Sequence, residues 1–423
     1  MAKTTTTRKS IVILGGSWGG VSLSHYLLHH VVPYLHKAEP SSYEVVLISS
    51  SSQAFCRPAA PRAFISDDLF KQEKLFVDIE PQFKQYPSGS FRFLHATATN
   101  VDTQARVVTI SSHGTNKIST VSFHALVIAT GASTPSPLLG FTPGQDVPHL
   151  RSNWAAVRAA LPTARRVVIA GGGPTGVEVA GELGEHLNGP MARAWFLLPS
   201  AQTKPRVEIT LVAATERILP GLRKTLAERA EVYLAALGVK IISGVKVTGV
   251  TLSGAGEGKV YGGTVVTLSN GETIKADVYI PCVGTTPNTE FVADKALLAP
   301  DGKVETNPKT LRVDKAGEGA KIYALGDASN FAVNPGVHNT LSAVPILAAN
   351  MKRDLAGMKD GEDRVFEEDL RETQLVPIGK SKGVGAMKGW WLPSFLVWLI
   401  KGRDYWLWTT GDIWSGKAWA KEQ

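Results

Sequence analysis

Residues Arg166-Val167-Val168-Ile169-Ala170-Gly171-Gly172-Gly173-Pro174-Thr175-Gly176 decide the fold. A β-branched run of strand type enters a glycine-rich turn, and residues 177–187 continue with helical composition. In the spacing Gly171-x-Gly173-x-x-Gly176, the first glycine permits a tight turn and the second lets backbone approach a pyrophosphate. The third lets the helix lie close on the strand, and phosphate meets the unpaired N–H groups of the first helical turn, that of Thr175 included.

The same order occurs earlier in the chain. Residues 10–14 (SIVIL) lead into Gly15-Gly16-Ser17-Trp18-Gly19-Gly20, with a helical stretch over 21–30. Each unit then reaches another apolar run, at 43–48 and 207–212. Strand, glycine turn, helix and strand are written twice, which predicts an α/β protein with two Rossmann-like dinucleotide-binding domains. The first turn departs from the pattern, because Ser17 stands at the middle glycine position. Its side chain must point away from a phosphate or bond to it.

Both units also lack the acid that commonly holds an adenosine ribose after the second strand. The first has Ser49-Ser50 there, and Ser49 offers only a hydroxyl; the second has Ala213-Ala214. Without that carboxylate a 2′-phosphate is not repelled, so NADPH is expected to serve at least as well as NADH. Arg217 is either a receptor for that phosphate or a solvated surface charge.

Composition bounds the rest. A chain of 423 residues, 43% apolar and 19% charged, is globular and long enough for two or three domains. Two cysteines, Cys56 and Cys282, exclude a disulfide framework and a CxxC centre, and a reducing compartment follows. Both are expected to be packing residues. The net charge of +8 suits anionic ligands or an anionic lipid surface, but no basic run points to nucleic acid. The opening residues MAKTTTTRKS show no apolar core of a secretory signal and no Gly at position 2 for myristoylation. His25 and His29 lie one turn apart but lack a third ligand, so no metal is assigned.

Between the units, 90–94, 105–110 and 119–128 read as short antiparallel strands, as do 240–251, 263–268 and 276–281. Residues 188–205, with three prolines, read as an irregular excursion, and 252–263 as a glycine-rich loop. Seven of the ten tryptophans fall between Trp390 and Trp419, which sets the end of the chain apart as a module. Its segment 389–400 (GWWLPSFLVWLI) is too short to span a bilayer. Pro393 and Gly402 predict the ends of a helix apolar on every side. Such a helix needs cover from its own module, a second subunit in a homodimer, or lipid, with Lys388, Lys401 and Arg403 at an anionic rim.

Three further stretches carry a resemblance. Ala125-Leu126-Val127-Ile128-Ala129-Thr130-Gly131-Ala132, residues 280–288 (IPCVGTTPN) and Ile322-Tyr323-Ala324-Leu325-Gly326-Asp327-Ala328 resemble, in order and spacing, segments of the two-dinucleotide-binding flavoproteins. The loop 55–63 (FCRPAAPRA) and the end of the chain are similar to the apoptosis-inducing-factor-like group, in its short ferroptosis-suppressor quinone reductase branch. The resemblance implies an FAD domain from 8–150 and 275–350, an NAD(P)H domain at 151–274, and a C-terminal module at 351–423.

It implies FAD contacts from the first glycine turn, Ser49, Arg62, Thr130, Gly131, Gly326 and Asp327, with Val337 and His338 opening a helix toward the flavin. Gly284 joins the second glycine turn and Arg217 on the nucleotide side, and Glu178 takes an orienting role at the flavin–nicotinamide junction. The implied activity is hydride transfer from NAD(P)H to flavin N5 and reduction of a quinone-type acceptor, with the tail serving the acceptor half-reaction. The implied location is intracellular, in the cytoplasm or peripheral on a membrane such as the mitochondrial outer surface or a lipid droplet. Two alternatives stay open: redox tailoring of a small aromatic or quinoid metabolite, and a non-enzymatic flavin-bearing signalling or nucleic-acid-binding protein.

Overall fold

The computed structural model describes residues 8–39, 43–142, 145–190, 205–252, 261–334 and 336–423. Two sheets carry the cores. The first runs, in spatial order, Ile322–Ala324, Ala125–Ile128, Lys9–Leu14, Tyr43–Ser49, Phe91–Asp102, Val107–Ser112 and Ile118–Ser122. Its first five strands are parallel where they pair, with Ile11 beside both Val45 and Ala125. Ile11, Val12 and Ile13 are fully buried, as a strand covered on both faces requires.

The second sheet runs Val239–Ile242, Glu208–Val212, Arg166–Ala170, Thr273–Pro281, Tyr261–Leu268 and Val247–Leu252. Four parallel strands again have the glycine-turn strand inside, and an antiparallel ribbon closes one edge. The duplicated pattern in sequence is thus a duplicated sheet.

Several boundaries differ from expectation. The run at 119–128 is two strands, Ile118–Ser122 on the antiparallel edge and Ala125–Ile128 beside the first strand. Only Phe123 and His124 separate the two, so the sequence hid a crossing from one side of the sheet to the other. The run at 240–251 divides in the same way. Strand Thr273–Pro281 lies against Arg166–Ala170, so the second sheet extends to Pro281 rather than ending at 274. The divisions expected at 150 and 350 fall inside helices Val147–Ala160 and Val337–Ala356. The first helix opens at Trp18 and passes through a wide turn at Leu27–Val31 into Val32–Ala38. Of the expected excursion and glycine-rich loop, residues 191–204 and 253–260 lie outside the described residues.

The C-terminal module begins with an antiparallel sheet of Gln374–Ile378, Lys382–Met387 and Trp390–Trp391. Helical turns follow at Ser394–Val397, Trp398–Gly402 and Leu407–Trp414. Gly402 does not stop the helix, because Arg403 continues right-handed at φ −60°. The reversal comes at Tyr405 and Trp406, with φ of +51° and +68°. The module docks on the helix Pro174–Asn188: a Cβ on Gly181 would lie 2.9 Å from the backbone of Ile378 and Gly379.

The two glycine turns superpose in their stereochemistry. Gly15 and Gly171 have φ of +116° and +123°. A Cβ on Gly20 or on Gly176 would meet the carbonyl oxygen of Gly15 or Gly171 at 1.8 Å. A Cβ on Gly173 meets nothing within 4 Å, because that position faces open space at the helix start. Gly176→Ala is therefore expected to lower the melting temperature. Gly173→Ala should leave it unchanged while raising KM for NAD(P)H, because the methyl occupies the pyrophosphate's approach; thermal melts and steady-state kinetics on the pair check this.

Candidate active site

The segments singled out in sequence converge on the first glycine turn. A Cβ on Gly19 would lie 3.3 Å from the Thr340 methyl and one on Gly326 3.7 Å from its hydroxyl, so helix Val337–Ala356 opens beside both turns. Val337 and His338 stand in that opening, whose cap Gly336 offers no side-chain bond. Thr130 and Gly131 are tied to the segment at 280–288. The Thr130 hydroxyl donates to the Asn288 carbonyl at 2.6 Å, the Asn288 amide donates back to the Thr130 carbonyl at 3.0 Å, and the Asn288 N–H donates to the Gly131 carbonyl. Gly284, at φ +62°, faces open space.

These residues fit FAD. Among the described residues the half-buried Asp327 carboxylate has no hydrogen-bond donor, and burial raises its pKa against the opposing charges of Arg57 and Lys303. A carboxylate left in that state suits a ligand bearing hydroxyls. Ser17 begins the helix without a side-chain cap bond and is exposed at its mouth. Ser49 is engaged locally: its hydroxyl donates to the Ser51 carbonyl at 2.7 Å, and its Oγ lies 2.5 Å from where a Gly16 Cβ would be. The Trp18 ring is buried against Trp414, centroids 4.8 Å apart.

On the nucleotide side, Ala213 is buried beneath Gly172, whose Cβ would lie 2.6 Å from it. The first exposed position after the strand is Ala214. Arg217 spends its guanidinium on the carbonyls of Leu219, Pro220 and Leu222, at 2.7 to 3.2 Å, and so shapes the loop after that strand.

Arg62 stands away from the glycine turns. Its guanidinium makes two bonds to Glu182, at 2.9 and 2.7 Å, and also donates to the Arg403 and Gly379 carbonyls. Glu178 is buried on the second turn of the helix after the nucleotide motif, and burial raises its pKa. Its partner was not foreseen. Lys401 Nζ donates to Glu178 Oε1 at 2.6 Å and to the Leu375 carbonyl at 3.0 Å. Lys401 was expected at a lipid rim; the structure places it inside, because the tail folds onto helix Pro174–Asn188. No motif marks it. The one available signal was spacing: Lys401 and Tyr405 repeat the four-residue interval of Glu178 and Glu182.

The other candidates are structural. Cys56 is fully buried with its thiol pushed up to about 12, and Sγ lies 3.7 Å from the Tyr405 carbonyl. His25 accepts from the Tyr86 hydroxyl at 2.8 Å and donates to the Trp414 carbonyl at 2.8 Å, its pKa lowered by burial to about 4. Among the described residues no three His, Cys, Asp or Glu side chains are grouped to hold a metal.

Two nucleotide cradles, one at each glycine turn, with a buried acid beside the second, define a flavin-dependent pyridine nucleotide oxidoreductase. The chain belongs to the pyridine nucleotide-disulphide oxidoreductase family, whose pattern matches residues 9–346. It is 56% identical over 426 residues to the oxidoreductase phnG of Penicillium herquei, covering 99% of each chain. It is 23% identical over 412 residues to ferroptosis suppressor protein 1 of Homo sapiens, covering 93% of this chain and 92% of that one. The structure of NDH2 from Plasmodium falciparum in complex with NADH matches with a TM-score of 0.65 at 15% identity, over 99% of each chain. These likenesses define the family rather than the apoptosis-inducing-factor-like group within it. Its cofactors are FAD and NADH or NADPH, and the protein is an enzyme.

Ala214→Asp, at the exposed position, is expected to shift the ratio of kcat/KM toward NADH by repelling the 2′-phosphate. Steady-state rates with both nucleotides check this; an unchanged ratio would place the ribose elsewhere.

Proposed function

We propose that the enzyme uses NAD(P)H to reduce a quinone-type aromatic acceptor through FAD, with Glu178 and Lys401 as the acid–base couple beside the nicotinamide. The observation that carries this reading is the buried Lys401–Glu178 contact of 2.6 Å, one turn beyond the nucleotide-binding helix start. Bound FAD supplies a two-electron carrier between donor and acceptor.

The overall reaction, NAD(P)H plus acceptor plus one proton giving NAD(P)+ and the reduced acceptor, takes up a proton. A carboxylic acid with its pKa raised by burial and pulled back by an ammonium is suited to holding one. Dithiol chemistry has no support here. Cys56 and Cys282 are both free, and burial raises both thiol pKa values. Because Lys401 belongs to the tail, the tail contributes to the proton supply for the acceptor as well as to its binding surface.

The tail also carries Trp390, Trp391, Phe395, Leu399 and Trp408 on its surface, with Trp390 at 77% exposure and Phe395 at 65%. Among the described residues no helix is long and apolar enough to cross a membrane. Aromatic side chains beside Lys388 and Arg403 suit shallow contact with an anionic lipid surface, where a long-tailed quinone resides.

Glu178→Gln should slow reoxidation of the reduced flavin by a soluble quinone on the order of 10²-fold with FAD retained. An unchanged rate would remove Glu178 from the chemistry. Phe395→Glu should reduce co-sedimentation with vesicles of phosphatidylcholine and phosphatidylserine while leaving turnover of a soluble quinone intact. Equal sedimentation of both proteins would show that this surface does not meet lipid.

A further inference from the structure

Glu178 and Glu182 are one turn apart on helix Pro174–Asn188, and Lys401 and Tyr405 are four residues apart in the tail. The pairs meet as two rungs. Lys401 donates to Glu178 at 2.6 Å, and the Tyr405 hydroxyl donates to Glu182 Oε1 at 3.0 Å. Arg62, from the short helix Ala60–Ala63, completes the second rung with its two bonds to Glu182. Its guanidinium carbon also lies 4.8 Å from the Tyr405 ring centroid. All five side chains are buried, Tyr405 completely.

The geometry points to a positioning role for Tyr405, Glu182 and Arg62: this rung holds the tail in register so that the Lys401 ammonium stays on Glu178. The inference rests on the reading of Glu178 and Lys401 given above. A lysine ammonium sits on a flexible four-carbon stem and does not fix its own place. Tyr405 is a rigid ring on the same stretch, and its partner carboxylate is pinned by a two-point guanidinium bond. The left-handed backbone of Tyr405 and Trp406 adds a second sign. Two consecutive non-glycine residues in that region persist only where surrounding contacts enforce them. Here the contacts are the buried tyrosine ring and its bond to Glu182.

The charged and titratable groups facing Glu178 are Lys401 from the tail, Glu182 from its own helix, Arg62 from the flavin-side loop and Cys282 from the end of strand Thr273–Pro281. Tyr405 adjoins them from the tail. Lys401 is the member of this set that the second rung would release. Burial raises the Glu178 pKa and Lys401 lowers it, so loosening Lys401 moves the Glu178 titration to higher pH. That direction holds whichever protonation state turnover requires.

The test is the pH profile of kcat/KM for a soluble quinone in the FAD-loaded wild type, Glu178→Gln and Tyr405→Phe. Amine acylation of Lys401, read by mass spectrometry, is measured alongside. The limb that Glu178→Gln abolishes should move up by about one pH unit in Tyr405→Phe. Lys401, protected in the wild type, should become labelled, with FAD content retained. A limb that stays in place with Lys401 still protected overturns the positioning role and leaves the function of Glu178 standing. A profile unaffected by Glu178→Gln overturns that function instead, and the rung is then judged by Lys401 labelling alone. A Tyr405→Phe protein that does not fold assigns the rung to stability and overturns the proposal.

Discussion

An ammonium and a carboxylate, 223 residues apart in sequence and both nearly excluded from water, meet at 2.6 Å between Lys401 and Glu178. Removing either partner of such a pair leaves an uncompensated buried charge, a cost of about 3–5 kcal/mol. The tail therefore cannot leave helix Pro174–Asn188 without exposing Lys401 and Glu178 to that cost or to water. Arg62 and Glu182 extend the constraint to the flavin side, so three parts of the chain share one neutral cluster of two acids and two bases. The arrangement fixes four charged side chains in a space largely closed to water.

The tail makes a second attachment on the other nucleotide-binding unit. Trp414 lies against Trp18 of the first glycine turn, and its carbonyl accepts from His25. The Trp419 carbonyl accepts from His30, and Tyr26 exchanges hydrogen bonds with the backbone of Gln423. The C-terminal module is thus bonded to the helix that follows each glycine turn. Its apolar residues divide accordingly: Val397, Tyr405 and Trp414 turn inward, while Trp390, Phe395 and Trp408 remain on the surface.

The duplicated α/β architecture was legible because it rests on local necessity. A strand, a turn requiring positive φ, and a helix that cannot approach unless residue 20 or 176 lacks a Cβ leave a fixed spacing in the sequence. Thr130, Asn288 and Gly326 were legible in their motifs, and the structure brings those segments to the first glycine turn. Lys401 was not legible, since a lysine beside apolar residues reads equally as a rim cation and as a buried partner. Only the folded path of the tail decides between them. The partner of Arg62 was hidden for a related reason: its guanidinium bonds Glu182, 120 residues away in sequence. The 119–128 run misled because two strands on opposite sides of the sheet follow one another with only Phe123 and His124 between them.

The central claim is that one chain couples nicotinamide oxidation to reduction of an aromatic acceptor through its flavin. Anaerobic double-mixing stopped flow on the FAD-loaded protein tests it most directly, with NADPH in the first mix and a soluble quinone in the second. The account predicts loss of the oxidised flavin absorbance in the first mix and its return in the second, at rates sufficient for steady-state turnover. A flavin that neither NADPH nor NADH bleaches, or a bleached flavin that quinones do not restore, would contradict it.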